Sequence, residues 1–281
     1  MTPPVTARTR LLALLGDPVS HSLSPVIQNA AIGAAGVDAV YVALRTPADH
    51  LPGLLRALAH AGGAGNVTVP HKEAAAHAVD RRTDAAEATG ACNCFWLDRG
   101  EVWGDNTDVE GVSASIRLLL GRSAAGARVL VAGAGGGARA VVYALARQGA
   151  HEVVVVNRTR DRAAELARRF ATARTPVRVV GSVEEAGGGS FDLAVNATSL
   201  GLREGDPLPL DPARLPPVDA ALDMVYARSG ETPWVRAMRT RHVAAADGSE
   251  MLLMQGAAAF RRWWGIDPPV DAMRHALASL R

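Results

Sequence analysis

The sequence predicts an α/β protein of two domains, the second built on a doubly wound parallel sheet. Three observations predict it. From Arg128 onward, short apolar runs alternate with helical patterns, as strand–helix–strand units require. The first of these runs ends in a glycine turn, Gly133-Ala134-Gly135-Gly136-Gly137-Ala138, that leads into an amphipathic segment. The first half of the chain shows the same alternation with polar clusters at the run ends. A length of 281 residues accommodates about two cores.

In order, Arg10–Gly16 reads as a strand, and Ser24-Pro25 opens a helix to Gly36, with Ser24 as cap and proline in the first turn. Val40–Leu44 is the next strand, Pro47–Ala61 a helix, Gly65–Val69 a third strand, and Pro70 begins a helix to Val79. Ala91–Leu97 and Glu101–Gly104 are strands joined by the turn Asp98-Arg99-Gly100, and Val109–Leu120 is a long helix. The second domain should hold strands Val129–Gly133, Glu152–Asn157, Val177–Val180, Phe191–Asn196, Ala220–Val225 and Val243–Ala246. Its clearest helices are Gly137–Gln148 and Arg160–Phe170. Helices Glu250–Trp264 and Pro269–Leu280 close the chain and should pack back on the first domain, with Phe260, Trp263 and Trp264 as anchors. The domains are thus expected as 1–108 with 248–281, and 109–247, with a cleft between them.

Hydrophobic residues are 48% and charged residues 21%, and the formal charge is only +2, which gives no basis for a nucleic-acid partner. No run reaches the ~18 apolar residues of a membrane span, and Met1 to Arg10 lacks the apolar core of a signal peptide. A cytoplasmic protein is expected, monomeric or homodimeric. The two cysteines, Cys92 and Cys94, read as reduced thiols on one face of a strand. Their spacing would strain a disulfide, and no other cysteine helps them hold a metal, so none is expected.

The glycine turn is the strongest functional signal. Gly133 permits the tight turn, Gly135 lets phosphates approach the backbone, and the small Ala138 lets helix and strand pack closely. Helix-terminal N–H groups then face a pyrophosphate. The following strand ends in Asn157-Arg158-Thr159, with Arg162 one turn on, where an NAD site usually carries an acidic residue. A guanidinium there suits a 2′-phosphate, so NADP(H) is the expected cofactor.

Three polar clusters mark the first domain. Ser22 and Ser24 lead into a helix N-terminus that favours a carboxylate; Ser24 as a plain cap beside a solvated Ser22 explains them equally well. Asn66 and Thr68 should share a strand face, and Lys72 follows in a first helical turn, where a cation opposes the helix dipole. Asp108 begins the long helix after Gly104-Asp-Asn-Thr107, as a functional carboxylate or its N-cap.

Taken in order, the segments at Gly16–Asn29, Asn66–Lys72, Asn93, Gly104–Gly111, Gly133–Ala140, Asn157–Thr159, Asn196–Ser199, Asp223–Tyr226 and Met251–Gln255 resemble the shikimate dehydrogenase family over nearly the whole chain. The resemblance implies reduction of 3-dehydroshikimate to shikimate with NADPH, in aromatic amino acid biosynthesis. It also implies a mixed, mostly parallel substrate domain beside a Rossmann-type NADP-binding domain. Ser22 and Ser24 would hold the substrate carboxylate, with Tyr226 nearby. Asn66, Thr68, Asn93, Asp108 and Gln255 would bond the ring hydroxyls, with Lys72 and Asp108 as the catalytic pair. The glycine turn and Arg139 would hold the phosphates, and Asn157, Arg158, Thr159 and Arg162 the 2′-phosphate. Thr198, Ser199, Met224 and Met251 would line the nicotinamide region, and Gly248 belongs to the expected cofactor-binding set. Two positions depart from the family pattern: Gln28 replaces a histidine, and Cys94 replaces a threonine. They keep open a quinate or aminoshikimate dehydrogenase of the same fold, and a regulator without catalysis is a further alternative. A regulator has no need to retain both Lys72 and Asp108.

Overall fold

The computed structural model describes residues 5–203, 205–227 and 230–280. The chain divides into two compact units, Met1–Gly111 with Leu252–Arg281, and Val112–Met251. Two helices, α5 (Asp108–Leu120) and α9 (Ser249–Trp264), run across the divisions.

The first unit contains β1 (Arg10–Gly16), α1 (Ser24–Ala35), β2 (Ala39–Arg45), α2 (Leu51–His60), β3 (Ala64–Val67) and α3 (Lys72–Ala78). These are followed by β4 (Arg81–Arg82), α4 (Asp84–Thr89), β5 (Cys94–Asp98) and β6 (Glu101–Asp105), and the unit closes with α10 (Val270–Ala278). Its sheet runs β2-β1-β3-β5-β6-β4, parallel except where β5 pairs antiparallel with β3 and β6. The β5–β6 hairpin turns at Arg99 and Gly100, both at positive φ, the geometry of a tight two-residue turn. On one sheet face α2 and α3 cover a core of Leu15, Leu51, Leu55, Val67, Phe95 and Val102. On the other, α1 packs with α10, and Trp263 of α9 lies against Tyr41 of β2 at 5.9 Å between ring centroids. Phe260 and Trp263 are buried, as packing anchors should be.

The second unit holds β7 (Arg128–Ala132), α6 (Gly136–Gln148), β8 (Glu152–Val156), α7 (Arg160–Phe170), β9 (Val177–Val180) and β10 (Phe191–Asn196). β11 (Val218–Asp223), α8 (Pro233–Arg239) and β12 (Ala244–Ala246) follow. Its strands are all parallel in the order β12-β11-β10-β7-β8-β9. This is a doubly wound sheet whose order reverses between β7 and β10, the point at which such sheets bind ligands.

Three local expectations change. The third strand ends at Val67, so Thr68 lies just beyond it, its N–H still donating to Leu15 O of β1, and Val69 is exposed rather than buried. Ser24 is the first helical residue and makes no side-chain cap; its N–H donates to Ser22 Oγ at 3.2 Å. Cys92 precedes β5 and packs in the core with Phe95, whereas Cys94, one residue from Phe95 on the strand, faces the opposite way. Both cysteines are free and buried, and burial pushes the Cys92 thiol up to about 12 and that of Cys94 well above its ordinary value.

Candidate active site

In the first unit the strand directions gather the polar clusters at one end of the sheet. The C-terminal ends of parallel β1 and β3 lie side by side, and antiparallel β5 begins where β3 ends. β6, antiparallel to β5, delivers Asp105 and the start of α5 to the same end. Residues distant in sequence therefore meet there.

Lys72 begins α3 and Asp108 begins α5. A cation at a helix N-terminus is disfavoured by the dipole and an anion favoured, so the carboxylate offsets the lysine's poor position. Lys72 Nζ donates to Asp108 Oδ2 at 2.5 Å, and Asn93 Nδ2 donates to Asp108 Oδ1 at 2.7 Å. Asp108 is 6% exposed at its side chain and Lys72 23%, which leaves the ammonium the accessible member of the pair. The carboxylate is thus held on both oxygens.

The amide orientations follow from their partners. The Thr107 N–H, at 2.7 Å, requires Asn93 to present Oδ1, so its Nδ2 faces Asp108 and, at 3.4 Å, Gln255 Oε1. Asn66 Nδ2 donates to the Asn93 carbonyl at 2.9 Å, which turns its Oδ1 to the Tyr41 hydroxyl at 2.8 Å. Lys72, Asn66, Asn93, Asp108 and Gln255 therefore form one bonded group, with Thr107 and Tyr41 behind it. Ser22 is half-buried and Ser24 buried at the start of α1. Thr68 is placed by its N–H, donated to Leu15 O at 2.8 Å, and by Gly16, where a Cβ would lie 2.4 Å from the Thr68 methyl. Gln28 is buried and its Nε2 donates to Gly256 O at 2.9 Å, so this departure acts on α9 next to Gln255. Of these, Tyr41 carries no signal in the sequence beyond being a polar group on an otherwise apolar strand.

In the second unit the glycine turn has the required openness. Gly133 sits at φ +105, and a Cβ there would come within 2.9 Å of Thr198 Cγ2. At Gly135 and Gly136 a Cβ would meet nothing within 4 Å, and no side chain caps α6. Its first N–H groups thus border open space beside Ala134, while Ala138 is fully buried against the sheet. These features fit a pyrophosphate, with Arg139 on the first turn of α6. At the end of β8, Asn157 Nδ2 donates to Thr159 O at 2.7 Å. Arg158, Thr159 and Arg162 are exposed, and no side chain caps α7. Met224 lies by the turn: a Cβ on Gly137 would be 3.4 Å from its Cε, and one on Gly248 only 2.3 Å from its carbonyl oxygen. Ser199 is exposed, Met251 buried, and Tyr226 half-buried.

Asn196 Nδ2 donates to Asp223 Oδ1 at 2.8 Å, and Thr232 Oγ1 donates to Asp223 Oδ2 at 2.7 Å. Burial pushes the Asp223 carboxyl up from 3.8 to about 6 despite these bonds. A raised acid pKa contributes stability that is complete below about pH 4 and lost as pH rises through about 6. Two units correspond to about 3 kcal/mol. Asp223→Asn keeps the shape and can donate to Thr232, so its stability relative to wild type should rise between pH 4 and 7. Urea melts at both pH values check this; a constant difference contradicts it.

A doubly wound unit with an open glycine turn, joined to a unit carrying a lysine–carboxylate pair, defines a dinucleotide-dependent oxidoreductase. Family models place the chain further. Residues 14–95 match the shikimate dehydrogenase substrate binding domain, 117–199 match shikimate / quinate 5-dehydrogenase, and 248–278 match the shikimate 5'-dehydrogenase C-terminal domain. Shikimate dehydrogenase (NADP(+)) of Rubrobacter xylanophilus is 44% identical over 98% of each chain. That of Methanothrix thermoacetophila is 42% identical over 95% of this chain and 96% of its own. Shikimate 5-dehydrogenase of Thermus thermophilus, solved with NADP(H) and shikimate, superposes with a TM-score of 0.84 at 35% identity, over 96% of this chain and 99% of its own. The chain belongs to the shikimate dehydrogenase family.

Proposed function

We infer that the chain catalyses the reversible NADPH-dependent reduction of 3-dehydroshikimate to shikimate, in aromatic amino acid biosynthesis, with Lys72 and Asp108 as its catalytic pair. The observation that carries the assignment of residues is the Lys72–Asp108 bond at 2.5 Å, oriented by Asn93 and adjoining Gln255. When bound, NADPH supplies the hydride. As the carbonyl carbon gains a hydrogen, its oxygen becomes an alkoxide and needs a proton or a positive charge. Lys72 Nζ meets that need at the oxygen, and in oxidation takes the proton back. Asp108 holds the ammonium in place and is itself kept from turning by Asn93.

Asn66, Thr68, Asn93 and Gln255 bond the ring hydroxyls, and Ser22 and Ser24 receive the carboxylate at the start of α1, with Tyr226 assigned to the same group. In the other unit, the Gly133–Ala138 turn with Arg139 holds the pyrophosphate. Asn157, Arg158, Thr159 and Arg162 take the 2′-phosphate. Thr198, Ser199, Met224 and Met251 line the nicotinamide region, and Gly248 belongs to the cofactor-binding set. The two free thiols suit a reducing compartment such as the cytoplasm.

Substrate choice within the family follows from Ser22, Ser24, Asn66, Thr68 and Gln255, which match the shikimate pattern. Cys94, fully buried, offers quinate's extra hydroxyl no new partner. A hydroxyl buried without a partner costs about 1–3 kcal/mol, or roughly 10–100-fold in kcat/KM. Shikimate oxidation with NADP+ should therefore exceed quinate oxidation at least about tenfold, and Cys94→Thr should preserve or improve it. Spectrophotometric assays with both acids test this. Comparable rates, or activity only on an amino analogue, would overturn the substrate, and no turnover on any of them would point to a regulator.

A further inference from the structure

We propose that Arg262 is a positioning residue for the substrate site, its single guanidinium tying both flanks of Asp108 to the helix that carries Gln255. Arg262 Nε donates to Asp105 Oδ2 at 2.8 Å, and Nη2 donates to Glu110 Oε1 at 3.0 Å. These carboxylates stand three residues before and two residues after Asp108. Asp105 is 2% exposed, and its other oxygen accepts from Thr83 Oγ1 and, at 2.7 Å, from the Asn106 N–H. The Asp105 carbonyl also accepts from the Asn93 N–H at 2.9 Å.

On α9, Arg262 lies seven residues after Gln255, two turns along on nearly the same face and about 10 Å away. The contacts close a ring: α9 to Arg262, to Asp105 and Glu110, to Asp108, to Asn93, to Gln255, and back to α9. Their strengths differ within it. The Gln255–Asn93 contact at 3.4 Å is long for a hydrogen bond and holds little by itself. The Arg262–Asp105 bond is short, charge-assisted and made to a buried carboxylate. Gln28 ties α9 to α1, and Arg262 ties it to the segment bearing Asp108. The distance between Gln255 and the Lys72–Asp108 pair therefore depends on Arg262. No substrate group need touch Arg262 for its loss to loosen ring-hydroxyl recognition.

The inference rests on Asp108 and Gln255 belonging to the substrate site, so Asp108→Asn and Gln255→Ala are assayed beside it. Arg262→Leu alone strands a buried charge at Asp105. The informative variant is Arg262→Leu with Asp105→Asn, which removes the pair together. It should melt within about 5 °C of wild type, raise KM for shikimate at least about tenfold, and leave KM for NADP+ within about twofold. Arg262→Lys, which keeps a charge on Asp105 but cannot fork across both carboxylates, should raise shikimate KM about threefold at unchanged NADP+ KM. It reads the effect should the double variant not fold. Wild-type shikimate KM in both variants, or equal changes in both KM values as a merely structural role would give, overturns the proposal. If Asp108→Asn and Gln255→Ala impair shikimate kinetics while the Arg262 variants do not, the positioning role alone falls. If Asp108→Asn and Gln255→Ala are themselves silent, the site assignment falls and the positioning role with it.

Discussion

Lys72→Ala lowers kcat about 10²- to 10⁴-fold while KM for shikimate changes far less. The range is that of a positioned proton donor, whose contribution is made mainly in the transition state. Lys72 is the more exposed member of a pair whose carboxylate is 6% exposed, so the substrate oxygen meets the ammonium rather than Asp108. The variant also leaves Asp108 without its cation, but its bond to Asn93 and its place at the start of α5 remain. The fold should therefore survive, and circular dichroism alongside steady-state rates separates a chemical loss from an unfolded sample. Lys72→Met, which keeps the length of the side chain without its charge, should lose as much. Near-normal turnover in either variant removes Lys72 from the chemistry.

Arg158→Ala weakens NADPH binding about tenfold to a hundredfold and NADH binding far less. That is the scale of a lost charge-assisted hydrogen bond to a phosphate. Arg158 is exposed at the end of β8, next to the uncapped N-terminus of α7, whose first N–H groups favour the same anion. Its neighbour Arg160 is engaged with Glu185 at 3.1 Å, which makes Arg158 and Arg162 the guanidinium groups available to a 2′-phosphate. Titrations with both cofactors check it, and an equal loss for NADPH and NADH shows that Arg158 does not read the phosphate.

The second unit was the more legible from sequence. Val177–Val180, Phe191–Asn196 and Arg160–Phe170 match the observed elements residue for residue, because β10 is a largely buried apolar run inside a parallel sheet, β9 is a short valine-rich edge strand, and α7 alternates charge with Ala163, Leu166 and Phe170 at helical spacing. The first unit hid more. β4 is two exposed arginines and α4 six residues, too short to show a period. Thr68 reads as strand because Val67 and Val69 flank it, and its N–H does bond to β1, but the regular ladder ends at Val67 and Val69 is exposed. Cys92 and Cys94 read as one face because Ala91–Leu97 reads as a continuous strand, but β5 begins at Cys94 and Cys92 lies before it, outside the alternation.

Lys72, Asn93 and Asp108 stood out through their motifs, but the bonds among them did not. Gln255 meets Asn93 across 162 residues and Arg262 meets Asp105 across 157, separations over which spacing carries no information. Arg262 carries no signal in the sequence for a further reason. An arginine on an amphipathic helix is ordinarily a solvated side chain, and only the burial of Asp105 makes this one different.

The most direct test of the account is a double-mutant cycle on kcat for shikimate oxidation with NADP+, using Lys72→Ala, Asp108→Asn and the two combined. If Asp108 acts by holding the Lys72 ammonium, the combined variant is about as slow as the slower single one, since the second loss removes nothing more. If the two losses multiply, the residues act independently, and the claim that one lysine–carboxylate unit carries the chemistry is contradicted.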